Sequence, residues 1–344
     1  MMPPTAIRRP VTVVLWLIVS ALTVLASPLL LALGAMVSRL TGRRQPLIAA
    51  RIVLAYFSYE LGGLLRCGAL WLAAGAGRLI SRPRFQRRHW DLLEWFVAGL
   101  AQAGRAALDI DVRPDPTLEA ARGLESDRPL IVFSRHAGPG DTILIIDELM
   151  SRYGRRPSVV FKETIALDPC VDLLAHRLPH AMLDTSDREE CETRIEQVTR
   201  ALAPRGVLLL FPEGGNFTPE RRRSALERLR RKGRQRSVER AEDMPHVLPP
   251  QPTGALAALS AQPRADVIFA THTGLGMAAY LPQWWRDMPI GRTLHTRMWL
   301  VPSDEIPRDP DDQVDWLYDW WKRIDEWIAA QGTETEATRQ AAAG

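Results

Sequence analysis

The sequence predicts an α/β fold, a mainly parallel sheet with helices on both faces, preceded by an N-terminal membrane helix. After residue 110, short and continuously apolar runs alternate with amphipathic helical patterns, as is typical of parallel sheets covered on both sides. The chain also begins with a long uncharged stretch. Its 344 residues are 46% hydrophobic and 24% charged, which excludes a disordered chain, a collagen-like repeat and a membrane protein of many spans.

The first element is the uncharged stretch from Val11 to Val37, whose 27 residues exceed the roughly 20 needed to cross a bilayer. We interpret residues 1–45 as a membrane anchor. A cleaved signal peptide is the alternative, although its apolar region is usually about 7–15 residues long. Two arginines precede the stretch and four follow it, at positions 8, 9, 39, 43, 44 and 51. The heavier positive flank predicts a cytoplasmic catalytic domain.

Residues 46–110 follow as amphipathic segments. Glu60 and Arg66 interrupt the apolar pattern and would lie deep in a second simple span, at a cost of about 2.5–3.5 kcal/mol for a charge at mid-bilayer. We therefore expect helices that lie at the membrane interface or re-enter it. The alternative is that these helices cover the core of the domain behind them. Positive charge is concentrated here: residues 1–100 hold twelve arginines and three acids, in a chain of net charge only +4.

We assign residues 111–330 to a catalytic domain with five predicted strands. The strands are Leu130–Ser134, Ser158–Phe161, Val207–Phe211, Val267–Ala270 and Met298–Val301. A helix is predicted over 312–329, and its tryptophans favour docking on the sheet over a membrane-interface belt because its surroundings are acidic. The tail, residues 331–344, has little to bury and is predicted to be disordered.

The first loop with notable chemistry follows the first predicted strand and contains His136 and Asp141. Residues five apart do not share a helix face, so the two side chains meet only if the chain between them turns. Gly138, Pro139 and Gly140 are residues that make tight turns. Asp141 could then hold one imidazole nitrogen and leave the other free as a base, while the substrate supplies the hydroxyl. The alternative is a capped helix beside a structural histidine.

The second loop is Phe211-Pro212-Glu213-Gly214-Gly215-Asn216-Phe217-Thr218. An apolar strand runs into a carboxylate followed by glycines. Glu213 could accept hydrogen bonds from substrate hydroxyls, and Gly214 and Gly215 let backbone N–H groups approach a ligand. Alone, this segment could be only a strand-to-helix turn.

Together the two loops resemble the glycerolipid, or lysophospholipid, acyltransferase family. Its H-x-x-x-x-D block matches His136 and Asp141, and its F-P-E-G block matches Phe211–Gly214 about 75 residues later. A block with a lysine fits Lys162, followed by Asp184. The branch that looks most similar contains 1-acylglycerol-3-phosphate and lysocardiolipin acyltransferases.

The resemblance implies an O-acyltransferase of phospholipid biosynthesis, which moves a fatty acyl group from acyl-CoA or acyl carrier protein to a lysophospholipid hydroxyl. It implies that His136 is the general base and that Asp141 orients it. It further implies that Glu213 and Gly214, with Gly215 and Asn216 beside them, position the glycerol part. Lys162 is then expected to bind the acceptor phosphate.

Two positions depart from the family pattern, because Asn216 and Thr185 stand where arginines are expected. Neither residue replaces a bidentate contact between arginine and phosphate. Compensating cations could be Arg135, Lys162, Arg188 or Arg221–Arg223. Otherwise the acceptor is a lipid or glycolipid without a phosphate. A non-catalytic membrane scaffold is a third, less favoured interpretation.

We expect no cofactor other than the acyl donor as co-substrate, and no nucleic-acid partner. His176 and His180 have the spacing of metal ligands, but Pro179 breaks the helix that would align them, and no third ligand is evident. We therefore expect no metal site. Membrane lipids and the acyl-carrying thioester are the expected partners.

Overall fold

The computed structural model describes residues 4–138, 140–183, 187–273, 275 and 285–343, with the backbone alone for 332–343. The chain forms two compact units. The first consists of residues 1–110 and 143–194, and the second of residues 111–142 and 195–344. Pro139, Asp184 and Thr185, which the sequence analysis singled out, lie outside the described residues.

Four helices begin the first unit: α1 Thr5–Leu25, α2 Ser27–Thr41, α3 Gln45–Ala73 and α4 Pro83–Leu108. The single membrane helix predicted over Val11–Val37 is two helices, divided at Ala26. The division has a local cause, because Pro28 lacks a backbone N–H and so cannot donate the hydrogen bond to the Val24 oxygen that would continue α1. By length and composition, α1 and α3 could each cross a membrane.

Arg8 near the start of α1 is buried against α7, Pro169–Arg177. Its guanidinium donates to the backbone oxygen of Ala166 at 3.0 Å and to Asp172 Oδ1 at 3.1 Å. Arg9 donates to the other oxygen of Asp172 at 2.8 Å. These two arginines, predicted as a membrane flank, are therefore used inside the protein.

Glu60 in the middle of α3 is fully buried within the protein. Its Oε1 accepts a hydrogen bond from the backbone N–H of Cys170, the second residue of α7, at 3.0 Å. A charged residue in an otherwise apolar helix is thus explained by packing against α7. This contact supports the alternative in which the second segment covers a protein core.

The first unit also contains a two-stranded parallel pair, β3 Arg156–Lys162 and β4 Ala181–Leu183. Its remaining elements are α6 Asp141–Asp147, which begins in the second unit, a π-helical turn Glu148–Arg152, and a 3-10 turn Glu163–Leu167. Helix α8, Arg188–Arg200, continues into the second unit.

The second unit is built on five strands in the order β1-β7-β6-β2-β5. Their bounds are β1 Asp111–Pro116, β2 Leu130–Ser134, β5 Gly206–Leu210, β6 Asp266–Thr273 and β7 Thr293–Val301. Neighbours run parallel except for β6 and β7, which are antiparallel. The predicted mainly parallel sheet is therefore confirmed, with one reversed pair. The prediction missed β1 and the short β4.

Helices of the second unit cover both faces of its sheet. Within the described residues, the helices of this unit include α5 Leu118–Glu125, α9 Pro219–Arg231, α10 Gln235–Glu242, α11 Pro252–Ala261 and α12 Pro310–Ala343, of which α5, α11 and α12 pack against its strands. Trp320 of α12 stacks on Phe269 of β6 with ring centroids 4.5 Å apart, so the tryptophan-rich helix docks on the sheet as predicted. Leu300 points to the opposite face, where a Cβ on Gly123 of α5 would lie 2.7 Å from it. Helix α12 includes residues 331–343, the predicted tail.

Candidate active site

His136 and Asp141 meet at the end of β2, in the second unit. The loop after the strand turns back at Gly140, whose φ of 96° is a conformation that favours glycine. The backbone N–H of Asp141 points at the oxygen of Gly138 at 3.5 Å. His136 Nδ1 then lies 2.9 Å from Asp141 Oδ2 and 3.0 Å from Oδ1. The predicted pairing is present.

The Asp141 carboxylate is almost fully buried and collects donors from its own loop. The backbone N–H groups of Ala137, Gly138 and Thr142 donate to it at 2.8, 3.2 and 2.6 Å. On a second side, His272 Nε2 of β6 lies 3.4 Å from Oδ2. Burial alone would raise the pKa of Asp141, but the hydrogen bond from His136 and the nearby His272 ring outweigh it and hold the pKa well below its usual range. The carboxylate is therefore an anion at neutral pH.

Two further contacts hold His136. Its ring packs against Phe211, with ring centroids 4.7 Å apart, and its backbone oxygen accepts a hydrogen bond from the Phe217 N–H at 2.8 Å. Because Nδ1 faces Asp141, Nε2 points away from the carboxylate. The side chain is 23% exposed, so a substrate can reach it. A base oriented in this way can take a proton from a hydroxyl.

Glu213 in the second loop is buried, with Oε2 accepting the Leu248 N–H at 3.3 Å. Burial raises its pKa to about 8, against the opposing pull of the Arg135 charge. Its Oε1 has no hydrogen-bond partner among the described residues. A buried acceptor without a partner is costly unless a ligand supplies a donor. The next residue, Gly214, has φ of 68°, and a Cβ there would lie 2.4 Å from Gln251 Nε2.

Arg135 was predicted to help hold substrate, but its side chain is turned inward. It is 4% exposed and donates to the backbone oxygens of His272 at 2.7 Å and His246 at 3.0 Å. Those bonds fasten the β2 loop to β6 and to the loop after α10. The sequence could not indicate this direction, because both acceptors are more than a hundred residues away along the chain.

The other predicted site residues fall in different places. Asn216 presents its backbone oxygen to Arg221 of α9, whose guanidinium donates at 3.0 Å. That guanidinium also lies 3.3 Å from where a Cβ on Gly215 would stand. Lys162 ends β3 and Arg188 begins α8, both in the first unit. Among the described residues, no cluster of three or more metal-ligating side chains occurs.

His272, near the end of β6, is a residue whose place in the site the sequence did not predict. In the structure it is buried beside the Asp141 carboxylate, with Nε2 3.4 Å from Oδ2. Burial lowers its pKa, with Asp141 opposing that effect. The available signal was its place after an apolar strand, at the edge where His136 also lies.

Residues 115–250 match the family model for acyltransferases. This stretch is an acyltransferase-family domain. It contains both loops described above, so the match confirms the prediction of an acyltransferase. No match was found among curated protein sequences.

Among solved structures, the chain is similar to the crystal structure of the 1-acyl-sn-glycerophosphate (LPA) acyltransferase PlsC from Thermotoga maritima. The two share 14% sequence identity, with a TM-score of 0.46. The alignment covers 79% of this chain and 98% of that chain.

Proposed function

We propose that the protein transfers a fatty acyl group from a thioester, acyl-CoA or acyl carrier protein, to the free hydroxyl of a lysophospholipid. The observation that supports this most is the His136–Asp141 pair at 2.9 Å, with the far imidazole nitrogen directed away from the carboxylate. A histidine–carboxylate pair of this kind suits a reaction in which the hydroxyl of the substrate is the nucleophile.

In the proposed reaction, His136 Nε2 takes the proton of the acceptor hydroxyl while the oxygen attacks the thioester carbonyl. Asp141 stabilises the imidazolium that forms. The tetrahedral intermediate collapses with loss of the thiolate, which takes the proton back from His136. An ester and a free thiol result, and the imidazole is neutral again. General-base catalysis of this kind contributes about 10²- to 10⁴-fold.

Glu213 and the glycine loop are proposed to position the acceptor. The unpartnered Oε1 of Glu213 offers an acceptor atom for a glycerol hydroxyl or, when the carboxyl is protonated, a donor. Gly214 and Gly215 leave the backbone uncovered beside it. Lys162 remains a proposed phosphate contact on the family resemblance alone.

For an acceptor phosphate, we propose Arg221 of α9 as the cation, because it lies against the second loop. Its guanidinium lies on the Gly215–Asn216 backbone, and its side chain is half-buried. This placement favours a phosphate-bearing acceptor. The second candidate, the same chemistry on a lipid without a phosphate, is favoured by the inward turn of Arg135.

An acceptor panel separates these candidates. Purified protein is given oleoyl-CoA with either lysophosphatidate or monoacylglycerol, and the labelled products are resolved. We expect phosphatidate to form at the higher kcat/KM. A clear preference for monoacylglycerol would reject the lysophospholipid proposal, and repetition with oleoyl carrier protein assigns the donor.

Arg221→Ala tests the phosphate contact. We expect KM for lysophosphatidate to rise about tenfold or more, because a charge-assisted hydrogen bond is lost, while KM for monoacylglycerol is unchanged. The matched control is Arg223→Ala, which removes an exposed arginine of the same helix turn that lies 3.7 Å from Glu220. An equal rise of both KM values would contradict a role at the phosphate.

We also propose that the enzyme is held at a membrane by its N-terminal helices. α1 carries exposed apolar side chains along its length, including Val11, Ile18 and Leu25. Exposed apolar surface of this extent marks an interaction site. Sedimentation of the full-length protein with cell membranes after a carbonate wash tests this; release into the soluble fraction would contradict it.

A further inference from the structure

A cleft of about 670 Å³ opens in the first unit, at the turn between α2 and α3. Its walls come from the end of α2, the start of α3 and the end of α4. The lining residues are Ala35, Ser38, Arg39, Gly42, Arg43, Arg44, Leu47, Ile48, Arg51, Ala106, Ala107 and Asp109. None of these residues belongs to the site around His136.

The cleft is strongly cationic. Four arginines line it, against Asp109 as the one acid of the lining. All four are exposed, and within the described parts of the chain none of their guanidinium groups donates a hydrogen bond or forms an ion pair. Like charges gathered around one cavity repel one another, and an anion between them relieves that repulsion.

Helix capping does not account for these arginines. Arg39 lies in the last turn of α2, where a cation interacts favourably with the helix end. Arg43 and Arg44, however, directly precede α3, where the helix end is itself positive, and Arg51 lies in the second turn of the same helix. Charges of the same sign at a helix N-terminus are unfavourable without a bound anion.

The surroundings of the cleft are apolar. On α2, the exposed apolar side chains around Arg39 include Met36, Val37 and Leu40, and Leu40 is 78% exposed. Inside the cleft, Ile48 and Ala107 are buried. An apolar surface that changes abruptly to arginines is typical of a segment lying at the level of lipid headgroups.

We propose that this cleft binds the phosphate of an anionic phospholipid headgroup, with the acyl chains running along the exposed apolar face of α2. The ligand is a membrane lipid that the enzyme does not turn over at this position. Guanidinium groups bind phosphate oxygens in bidentate geometry, and the net charge of the lining favours a headgroup without a compensating cation.

The test uses full-length protein in neutral detergent micelles, titrated with dihexanoyl phosphatidylglycerol or dihexanoyl phosphatidylcholine. The readout is the rise in Tm, from which an apparent Kd follows. We expect phosphatidylglycerol to stabilise the protein and phosphatidylcholine, with its compensating choline, to have little effect. In Arg43→Gln/Arg44→Gln the apparent Kd for phosphatidylglycerol should rise roughly 30-fold, since each near-surface cation contributes appreciably to binding.

The matched control is Arg87→Gln/Arg88→Gln, which removes the same charge from exposed arginines of α4 outside the cleft and should leave the Kd within about twofold of the native value. An equal loss in both variants would overturn the proposal. The proposal would also be overturned if inorganic phosphate or free CoA raised the Tm as much as phosphatidylglycerol does and Arg43→Gln/Arg44→Gln abolished that rise. Binding needs no turnover, so failure here is distinguishable from failure of the proposed acyltransferase activity.

Discussion

At the scale of single residues, the site depends on one carboxylate. Asp141 accepts hydrogen bonds from three backbone N–H groups and from His136, and His272 lies on its other side. This arrangement keeps the carboxylate ionised and fixes which imidazole nitrogen points away from it. The function of the pair therefore depends on charge and on tautomer together.

Asp141→Asn removes the charge and offers an amide where the carboxylate accepted hydrogen bonds. We expect kcat to fall about 10²- to 10⁴-fold, because the imidazolium loses its counter-charge and the imidazole loses its fixed orientation. Acyl transfer at saturating acceptor measures the effect, with far-UV circular dichroism as the check on folding. Activity within a few-fold of native in a folded variant would show that the carboxylate has no catalytic role.

Glu213 gives a prediction about pH. Because burial raises its folded pKa to about 8, the folded protein holds this proton longer than the unfolded chain does. Its contribution to stability is therefore lost as pH rises from the ordinary glutamate range through about 8. In Glu213→Gln no proton is lost, so the Tm of the variant relative to native protein should increase between pH 6 and pH 9. A difference that is independent of pH would contradict the raised pKa.

The sequence predicted the meeting of His136 and Asp141 because turn-forming glycines lie between them, and the geometry is local. It did not predict the direction of Arg135, whose acceptors come from distant strands and loops. For the same reason, the sequence did not predict that His272 lies beside Asp141. Contacts within one loop follow from local residue types, whereas contacts between strands require the sheet order.

At the scale of elements, the apolar strands were predicted and β1 was missed. Its sequence, Asp-Val-Arg-Pro-Asp-Pro, is polar and contains two prolines, which are tolerated because β1 lies at the edge of the sheet. In the N-terminal segment, the sequence predicted a helix but not where it is interrupted. Absence of charge predicted one long helix, but Pro28 divides it and both parts pack on α3.

Close packing of α3 on α4 gives an element-scale test. A Cβ on Gly99 of α4 would lie 1.9 Å from the ring of Tyr59 in α3, whereas a Cβ on Gly104 of the same helix meets nothing within 4 Å. We expect Gly99→Ala to destabilise the protein by about 1–3 kcal/mol, since the ring must move out of its packed position. Thermal unfolding in detergent measures it.

Gly104→Ala is the matched control and should be neutral or stabilising by about 0.5–1 kcal/mol, the usual gain of alanine over glycine in a helix. Equal effects of the two substitutions would contradict the close approach of α3 and α4.

At the scale of the whole molecule, the net charge is only +4, but the two units differ in the features they carry. The first unit carries the long apolar helices and the cationic cleft, and the second carries the His136–Asp141 pair on a mostly parallel sheet. An acyltransferase domain combined with exposed apolar helices suits a substrate that resides in a bilayer. The sequence predicted this combination; the use of Arg8 and Arg9 inside the protein required the structure.

The central claim is that His136 is the base of an acyl transfer to a lysophospholipid. Its most direct test is phosphatidate formation from oleoyl-CoA and lysophosphatidate by purified native protein, His136→Ala, and His295→Ala as a matched histidine control on β7. We predict that His136→Ala loses at least about 10²-fold in kcat while His295→Ala stays close to native. Undiminished activity in a folded His136→Ala variant would contradict the account.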